Sequence, residues 1–186
     1  MVFVLLELSF FFVILVVFIK LELMSHETYQ FLLYAMSVAG VVVFVALYFV
    51  KAGYGMYRKT SWGVSLPNKL AWMLMEVPAF IVMLYGWVCS GVGIWAPQAA
   101  FAFLFLLHYF QRSFVFPLLM RGKSRMPVAI VAMGVVFNIL NGMLLTASLF
   151  RYPLDGLYAD GSELWMNSLP WIGLALVVLG MGMNLH

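Results

Sequence analysis

The stretch FLLHYFQRSFVFPLLMRGK, residues 105–123, carries four polar side chains inside a segment that is otherwise apolar. It ends in a short basic loop that begins at Arg121 and includes Lys123. Ionisable groups inside a membrane helix are costly, so their presence there indicates a functional site. The four polar side chains are His108, Tyr109, Gln111 and Arg112.

The composition around this stretch is that of a membrane protein. The chain has 186 residues, of which 66% are hydrophobic and 9% charged, whereas a soluble domain carries about 25% charged residues. A single cysteine, Cys89, excludes an internal disulfide and a cysteine cluster for a metal. The net charge of +3 is too small to indicate nucleic acid as a partner, and nothing points to an obligate protein partner.

Six apolar stretches are long enough to cross a bilayer as helices, which takes about 17–25 residues. Backbone groups in lipid have to be satisfied within the segment, so we predict an all-α, multi-pass bundle of about six transmembrane helices. The localisation that follows is a bacterial inner membrane or the endoplasmic reticulum. The stretches are Val2–Ile19, Tyr29–Val50, Leu70–Ala96, Ala99–Leu119, Val128–Phe150 and Leu169–Leu185.

The loops between the stretches predict the orientation. Residues 51–69 and 121–126 contain seven basic residues between them, four and three, and no acidic one. Residues 151–168 contain three acidic residues and one arginine. Because basic loops stay in the cytosol, the first two loops are expected inside and the third outside.

The first stretch is unusual, because Glu7 lies within it and no basic residue precedes it. Residues 1–23 are therefore either an additional helix or an upstream extension from a misplaced start, since Met24 is a plausible start. Residues 24–186 are expected to form the membrane domain.

Glu76, in AWMLMEVPAF at 71–80, is the sharpest candidate in the interior. Desolvation disfavours an isolated carboxylate there, so we expect Glu76 to be protonated or paired with a cation. It lies about 10 Å along its helix from Lys69, and Tyr109 lies about 18 Å from Arg121. Two hydrogen-bond donors could thus meet near the middle of the membrane. The alternative for Glu76 is a structural hydrogen bond between helices.

Arg112 lies about 13 Å inside Arg121 and shares a helical face with Tyr109 and Phe116. A cation at this depth needs an anion or a hydrated cavity, and the gradient towards the basic loop suits a phosphorylated ligand from the cytosol. The alternative is that Arg112 snorkels to the headgroups. For Asn138 we expect an ordinary hydrogen bond between helices. The sequence has no glycine-rich dinucleotide fingerprint, P-loop or HExxH motif.

Several strings, in order between Gly53 and His186, resemble the steroid 5-alpha-reductase family, also called 3-oxo-5-alpha-steroid 4-dehydrogenases. The family has a seven-helix membrane fold and uses NADPH to reduce a carbon–carbon double bond conjugated to a ketone. The strings are GYGMY (53–57), AWMLMEVPAF (71–80), LHYFQRSFVFPLLMRGK (107–123), NG (141–142), YPLDGLYAD (152–160) and GMGMNLH (180–186).

The resemblance implies a role for each candidate. Glu76 and Tyr109 match the catalytic glutamate and tyrosine, which hydrogen-bond the ketone oxygen of a lipophilic substrate. The substrate implied is a 3-oxo-4-ene steroid; a polyprenal or an enoyl thioester is the alternative. The positions that match NADPH ligands are Tyr54, Arg112, Arg121, Lys123 and Asn184.

The chain departs from the family's pattern at its end and at three positions. Met75 stands for a glutamine, Phe116 for a tyrosine and Lys123 for an arginine, which keeps charge but loses bidentate phosphate recognition. Family members continue past NLH with two further helices and more NADPH ligands. We therefore expect either a truncated record or a fragment, and a fragment is expected to be inactive alone.

Overall fold

The computed structural model describes residues 24–49, 63–153, 166 and 168–185, which form five helices and a two-stranded sheet. The first four helices are long and apolar enough to cross a membrane, and the fifth contains a shorter apolar run. The helical membrane fold is confirmed; the first of the six predicted crossings lies outside the described residues. The helices are α1 (His26–Phe49), α2 (Asn68–Ser90), α3 (Pro97–Leu119), α4 (Val128–Phe150) and α5 (Ser168–Leu185).

Glycine and proline set the turn between α2 and α3. Helix α2 ends at Ser90, earlier than the predicted Ala96, because Gly91 adopts the left-handed conformation (φ 68°) that terminates helices. The indole of Trp87 donates to the carbonyl of Val92 at 3.0 Å and holds the turn. Helix α3 begins at Pro97, whose missing N–H costs nothing in the first helical turn.

Two three-residue strands, which the sequence analysis did not predict, join the loops that precede α2 and α4. Strand β1 (Ser65–Pro67) pairs antiparallel with β2 (Arg125–Pro127). The guanidinium of Arg125 donates to the hydroxyl of Ser65 at 3.2 Å and also to its backbone carbonyl. The pairing brings the described parts of the two basic loops to one end of the bundle, as the charge pattern requires.

Helices α2 and α4 form the main packing interface, and two glycines on α4 allow their close approach. A Cβ atom at Gly142 would lie 3.3 Å from the Cα of Ala79 and from the Cβ of Val82. A Cβ at Gly134 would lie 2.8 Å from the Cγ of Met75. Buried apolar side chains fill the interface on both sides of this contact, among them Val82, Met83, Ile139 and Met143.

Most apolar side chains of helix α1 face outward, and none of its residues is fully buried, although Tyr29 and Leu32 pack against the core. Phe44 is 79% exposed and Tyr48 is 87% exposed. Exposed apolar surface of this extent is expected of a helix that faces lipid, because lipid chains solvate it without cost. At the helix start, the hydroxyl of Tyr152 donates to the carbonyl of Met24 at 2.5 Å and joins α1 to the end of α4.

The contact at Gly142 predicts a stability effect. The Gly142→Val substitution should destabilise the protein by about 1–3 kcal/mol, because the added methyl groups meet the backbone of Ala79, which cannot rotate away. Thermal unfolding in detergent measures the change. The matched control is Gly173→Val on α5, where an added Cβ meets no atom within 4 Å. Equal losses of stability in the two variants would show that the close approach of α2 and α4 at Gly142 does not cause the effect.

Candidate active site

Glu76 lies at the centre of a polar cluster formed by α2, α3 and α4. Its side chain is 6% exposed and accepts two hydrogen bonds from Arg112, from Nη2 at 2.6 Å and from Nε at 3.0 Å. Both bonds reach the same oxygen, Oε1. The sequence left two alternatives for Glu76, a protonated acid or a carboxylate paired with a cation. The structure has the pairing with a cation.

The guanidinium of Arg112 is held from a second direction by an aromatic ring. Its Cζ atom lies 4.9 Å from the centre of the Trp72 ring, and Trp72 and Phe116 pack edge to face at 5.4 Å. Trp72 and Glu76 are four residues apart on α2 and so share a face. Arg112, whose side chain is 23% exposed, is thus fixed between an anion and an indole rather than extended towards the headgroups.

A π-helical turn in α3, Gln111–Val115, contains Arg112. The N–H of Phe116 bonds to the carbonyl of Gln111, five residues earlier, and Pro117 follows without an N–H of its own. A wider turn suits this position because proline leaves a carbonyl of the preceding turn without a donor. Arg112 and Phe116 consequently face α2 together, as the spacing predicted.

Asn138 on α4 connects Glu76 with Tyr109. Its Nδ2 donates to the carbonyl of Met75 at 2.7 Å and to Oε2 of Glu76 at 3.4 Å. Its Oδ1 accepts a hydrogen bond from the hydroxyl of Tyr109 at 3.0 Å. The expected hydrogen bond between helices is therefore present, and it also bridges the two residues predicted to meet in the interior.

The hydroxyl of Tyr109 has a second polar neighbour. Asn141, one turn after Asn138 on α4, donates to it from Nδ2 at 3.1 Å. The ring of Phe105 lies 4.5 Å from that of Tyr109 and shields it on α3. A phenol and a carboxyl group are therefore held close together in a buried, largely apolar region, where a hydrogen bond to a polar group of a ligand would be strong.

The other predicted site residues lie elsewhere. Arg121 and Lys123 are exposed in the loop after α3, on either side of Gly122, and form no ion pair among the described residues. Tyr54 lies outside the described residues, as does the side chain of Asn184, whose backbone belongs to α5. The structure thus brings Glu76, Tyr109 and Arg112 into one cluster.

Sequence reasoning missed the connecting role of Asn138 and the contact with Trp72. A signal existed for each of them. Trp72 precedes Glu76 by one helical turn, and Asn138 and Asn141 stand three residues apart on a helix with few other polar side chains.

A search of protein-family models finds no match. The chain is 33% identical to bovine 3-oxo-5-alpha-steroid 4-dehydrogenase 1 over 173 residues, 89% of the chain and 64% of the relative. It is 36% identical to pig 3-oxo-5-alpha-steroid 4-dehydrogenase 2 over 152 residues, 76% of the chain and 55% of the relative. The chain resembles the steroid 5-alpha-reductase family along most of its length.

Plant steroid 5-alpha-reductases are similar to the chain over a comparable length. Steroid 5-alpha-reductase DET2 of Arabidopsis thaliana is 29% identical over 171 residues, 88% of the chain and 63% of the relative. The chain spans a little under two thirds of the length of the relatives that it matches over most of its own length. The cluster of Glu76, Tyr109 and Arg112 lies in the part that these steroid 5-alpha-reductases share with it.

The ion pair predicts a coupled effect on stability. Arg112→Met should destabilise the protein, because breaking a buried pair by removing one partner costs about 3–5 kcal/mol, and the partial exposure of Arg112 favours the lower value. The double variant Glu76→Gln/Arg112→Met should recover most of the loss, since no unpaired charge remains. Unfolding in detergent measures both.

Arg121→Met is the matched control for this pair, because it removes an exposed arginine from the loop just after α3. Its effect on unfolding should be small. If the double variant is no more stable than Arg112→Met alone, Glu76 does not carry the charge that the pairing implies.

Proposed function

We propose that the protein is a membrane-embedded, NADPH-dependent reductase of a carbon–carbon double bond conjugated to a ketone, acting on a 3-oxo-4-ene steroid. The observation that carries the proposal is the meeting of Glu76 and Tyr109 around Asn138, within an apolar bundle whose chain resembles the steroid 5-alpha-reductase family. A lipophilic substrate suits a site whose surroundings face the bilayer.

The reaction requires donors at the ketone oxygen. As a hydride adds to the β-carbon, negative charge develops on that oxygen, and donors fixed in advance stabilise it where water is excluded. Tyr109 supplies its phenolic O–H when the hydroxyl turns from Oδ1 of Asn138 to the ketone oxygen, and Glu76 supplies a carboxyl O–H when it is protonated. Both groups are buried, which strengthens their hydrogen bonds to the oxygen.

The contact between Arg112 and Glu76 joins two proposed roles. A carboxylate paired with arginine accepts hydrogen bonds but has none to donate. Glu76 can therefore donate to the ketone only in its protonated form, with Arg112 turned away from it. We assign Arg112 to the phosphates of the bound cofactor. A single movement of its guanidinium from Glu76 to these phosphates would bind the cofactor and leave Glu76 free to donate to the ketone.

Among the residues that the structure describes, four cations stand at the proposed cytosolic end, and two of them have structural tasks. Lys69 donates to the carbonyl of Leu118 at 3.2 Å and so caps α3. Arg125 is bound to Ser65 across the strand pair. Arg121 and Lys123 remain exposed, which fits them for the phosphates of a dinucleotide.

NADPH supplies the hydride when it is bound, and the chain's own residues fix its position. Arg112, Arg121 and Lys123 are proposed to hold its phosphates. Tyr54 and Asn184 are proposed as further ligands on the strength of the family resemblance.

Turnover by substituted full-length protein tests the two donors. Glu76→Leu should abolish measurable reduction of a 3-oxo-4-ene steroid, and Tyr109→Phe should lower kcat about 10²- to 10³-fold, because each removes a donor to the developing charge. Glu76→Gln should retain part of the activity, since an amide N–H also donates. NADPH affinity should survive in all three variants.

The matched control is Tyr152→Phe, which removes a phenol at the far end of α4, bonded to Met24 rather than to the site. Its kcat should equal that of the unsubstituted protein. Full turnover by Tyr109→Phe, or an equal loss of cofactor affinity and turnover in Glu76→Leu, would refute the assigned roles.

NADPH affinity tests the proposed cations. Arg112→Met and Arg121→Met should each weaken binding about 10- to 150-fold, the cost of losing a charged hydrogen bond of about 1.5–3 kcal/mol. The effect of Arg121→Met should shrink in high salt because its side chain is exposed to water. Arg112, shielded by helices, should be less sensitive to salt.

Arg151→Met is the control for these affinities, since Arg151 ends α4 at the opposite side of the bundle from the basic loops. It should leave the NADPH affinity of the full-length protein unchanged. Unchanged affinity for Arg112→Met would return that residue to a purely structural role beside Glu76.

A further inference from the structure

We propose that Asn138 is a positioning residue that fixes the hydroxyl of Tyr109 relative to the carboxyl group of Glu76. This inference rests on the proposed function, because it concerns the geometry of the two proposed donors. Asn138 is 5% exposed and contacts both of them from a third helix. Neither Glu76 nor Tyr109 contacts the other through a direct hydrogen bond among the described residues.

The orientation of the Asn138 amide is determined by its neighbours. The carbonyl of Met75 can only accept a hydrogen bond, so the group that faces it at 2.7 Å is the NH₂ of Asn138. The second N–H of the same group faces Oε2 of Glu76 at 3.4 Å. Since the NH₂ is engaged, the amide oxygen faces Tyr109, and the hydroxyl there has to be the donor.

The hydroxyl of Tyr109 is held in turn by two asparagines of one helix face. It donates to Asn138 at 3.0 Å and accepts from Asn141 at 3.1 Å. The position of the phenol oxygen is thus set by α4, and the same residue of α4 reaches Glu76 on α2. An error in the relative placement of α2 and α3 would separate two proposed donors that act on one oxygen atom.

Pro78 weakens helix α2 close to Glu76, so a contact from a neighbouring helix stabilises this part of α2. A proline inside a helix has no N–H for the carbonyl four residues earlier, which loosens the turn that contains Glu76. In membrane helices, polar side chains of neighbouring helices stabilise such turns. Asn138 binds the Met75 carbonyl within that turn and so fixes the backbone from which Glu76 projects.

Positioning of this kind has a kinetic consequence. Misplacing a reacting group by about 1 Å lowers turnover about 10²-fold even where no contact with the substrate is lost. Asn138→Leu, which keeps the approximate volume, should therefore lower kcat about 10- to 100-fold. The KM values for the steroid and for NADPH should change little, because Asn138 is not proposed to contact either molecule.

A double-substitution cycle on the full-length protein, with progesterone as the enone, separates positioning from ordinary helix packing. If Asn138 acts through Tyr109, its effect on kcat should largely vanish in the Tyr109→Phe background, so the two losses combine to less than their product. If Asn138 only packs helices, the losses multiply. Asn138→Ala serves the same cycle if the leucine variant does not fold.

Thr146→Val is the matched control, because Thr146 is buried on α4 and contacts the sulfur of Met83 on α2 at 3.7 Å, away from the cluster. It should change unfolding in detergent but leave kcat unchanged to within about twofold. Multiplied losses, or an unchanged kcat for Asn138→Leu, would overturn the role of Asn138 while leaving the proposed function intact. Absence of NADPH-dependent reduction of progesterone by the unsubstituted protein would refute the proposed function itself.

Discussion

The burial of one carboxylate constrains the arrangement of this bundle. Removing an ionised group from water costs several kcal/mol unless charge and hydrogen bonds compensate for it. For Glu76 the compensation comes from Arg112 on α3 and Asn138 on α4, so three helices have to meet at the level of a single residue. The helix crossings, the wide turn of α3 and the glycines of α4 are all compatible with that meeting point.

The local irregularities of the helices serve the same contact. Gly134 and Gly142 let α4 approach α2 closely enough for the short amide of Asn138 to reach the Met75 carbonyl. The π-helical turn before Pro117 turns the side chain of Arg112 towards α2. Each irregularity weakens a helix slightly by itself, and each is offset by polar contacts between helices.

The paired strands relate this interior cluster to the surface. They place the loop before α2 beside the loop after α3, so the exposed cations stand at the end of the helix that carries Tyr109 and Arg112. Helix α3 thus carries polar side chains in the interior of the bundle and leads directly into the exposed basic loop. Under the proposed function, the phosphates of the cofactor would lie at the loop and the ketone of the substrate near Glu76.

Hydropathy and spacing along the chain were enough to predict the helical membrane class, the bounds of α4 and the location of Glu76, Tyr109 and Arg112 within apolar helices. These features depend on hydropathy, on segment length and on the rise of a helix, all of which are local. The spacing also predicted one face for Arg112 and Phe116, and both contact Trp72.

The pairing of those residues depends on how the helices pack. Whether Glu76 is a neutral acid or the partner of a cation depends on which groups the neighbouring helices present, and helical periodicity cannot specify that. The same holds for Asn138, whose bonds to α2 and α3 join residues 63 and 29 positions away in the chain. Such contacts form only when the three helices pack. A hydrogen bond requires its donor and acceptor atoms to lie within about 3 Å, and residues so far apart in the chain come that close only in the folded bundle.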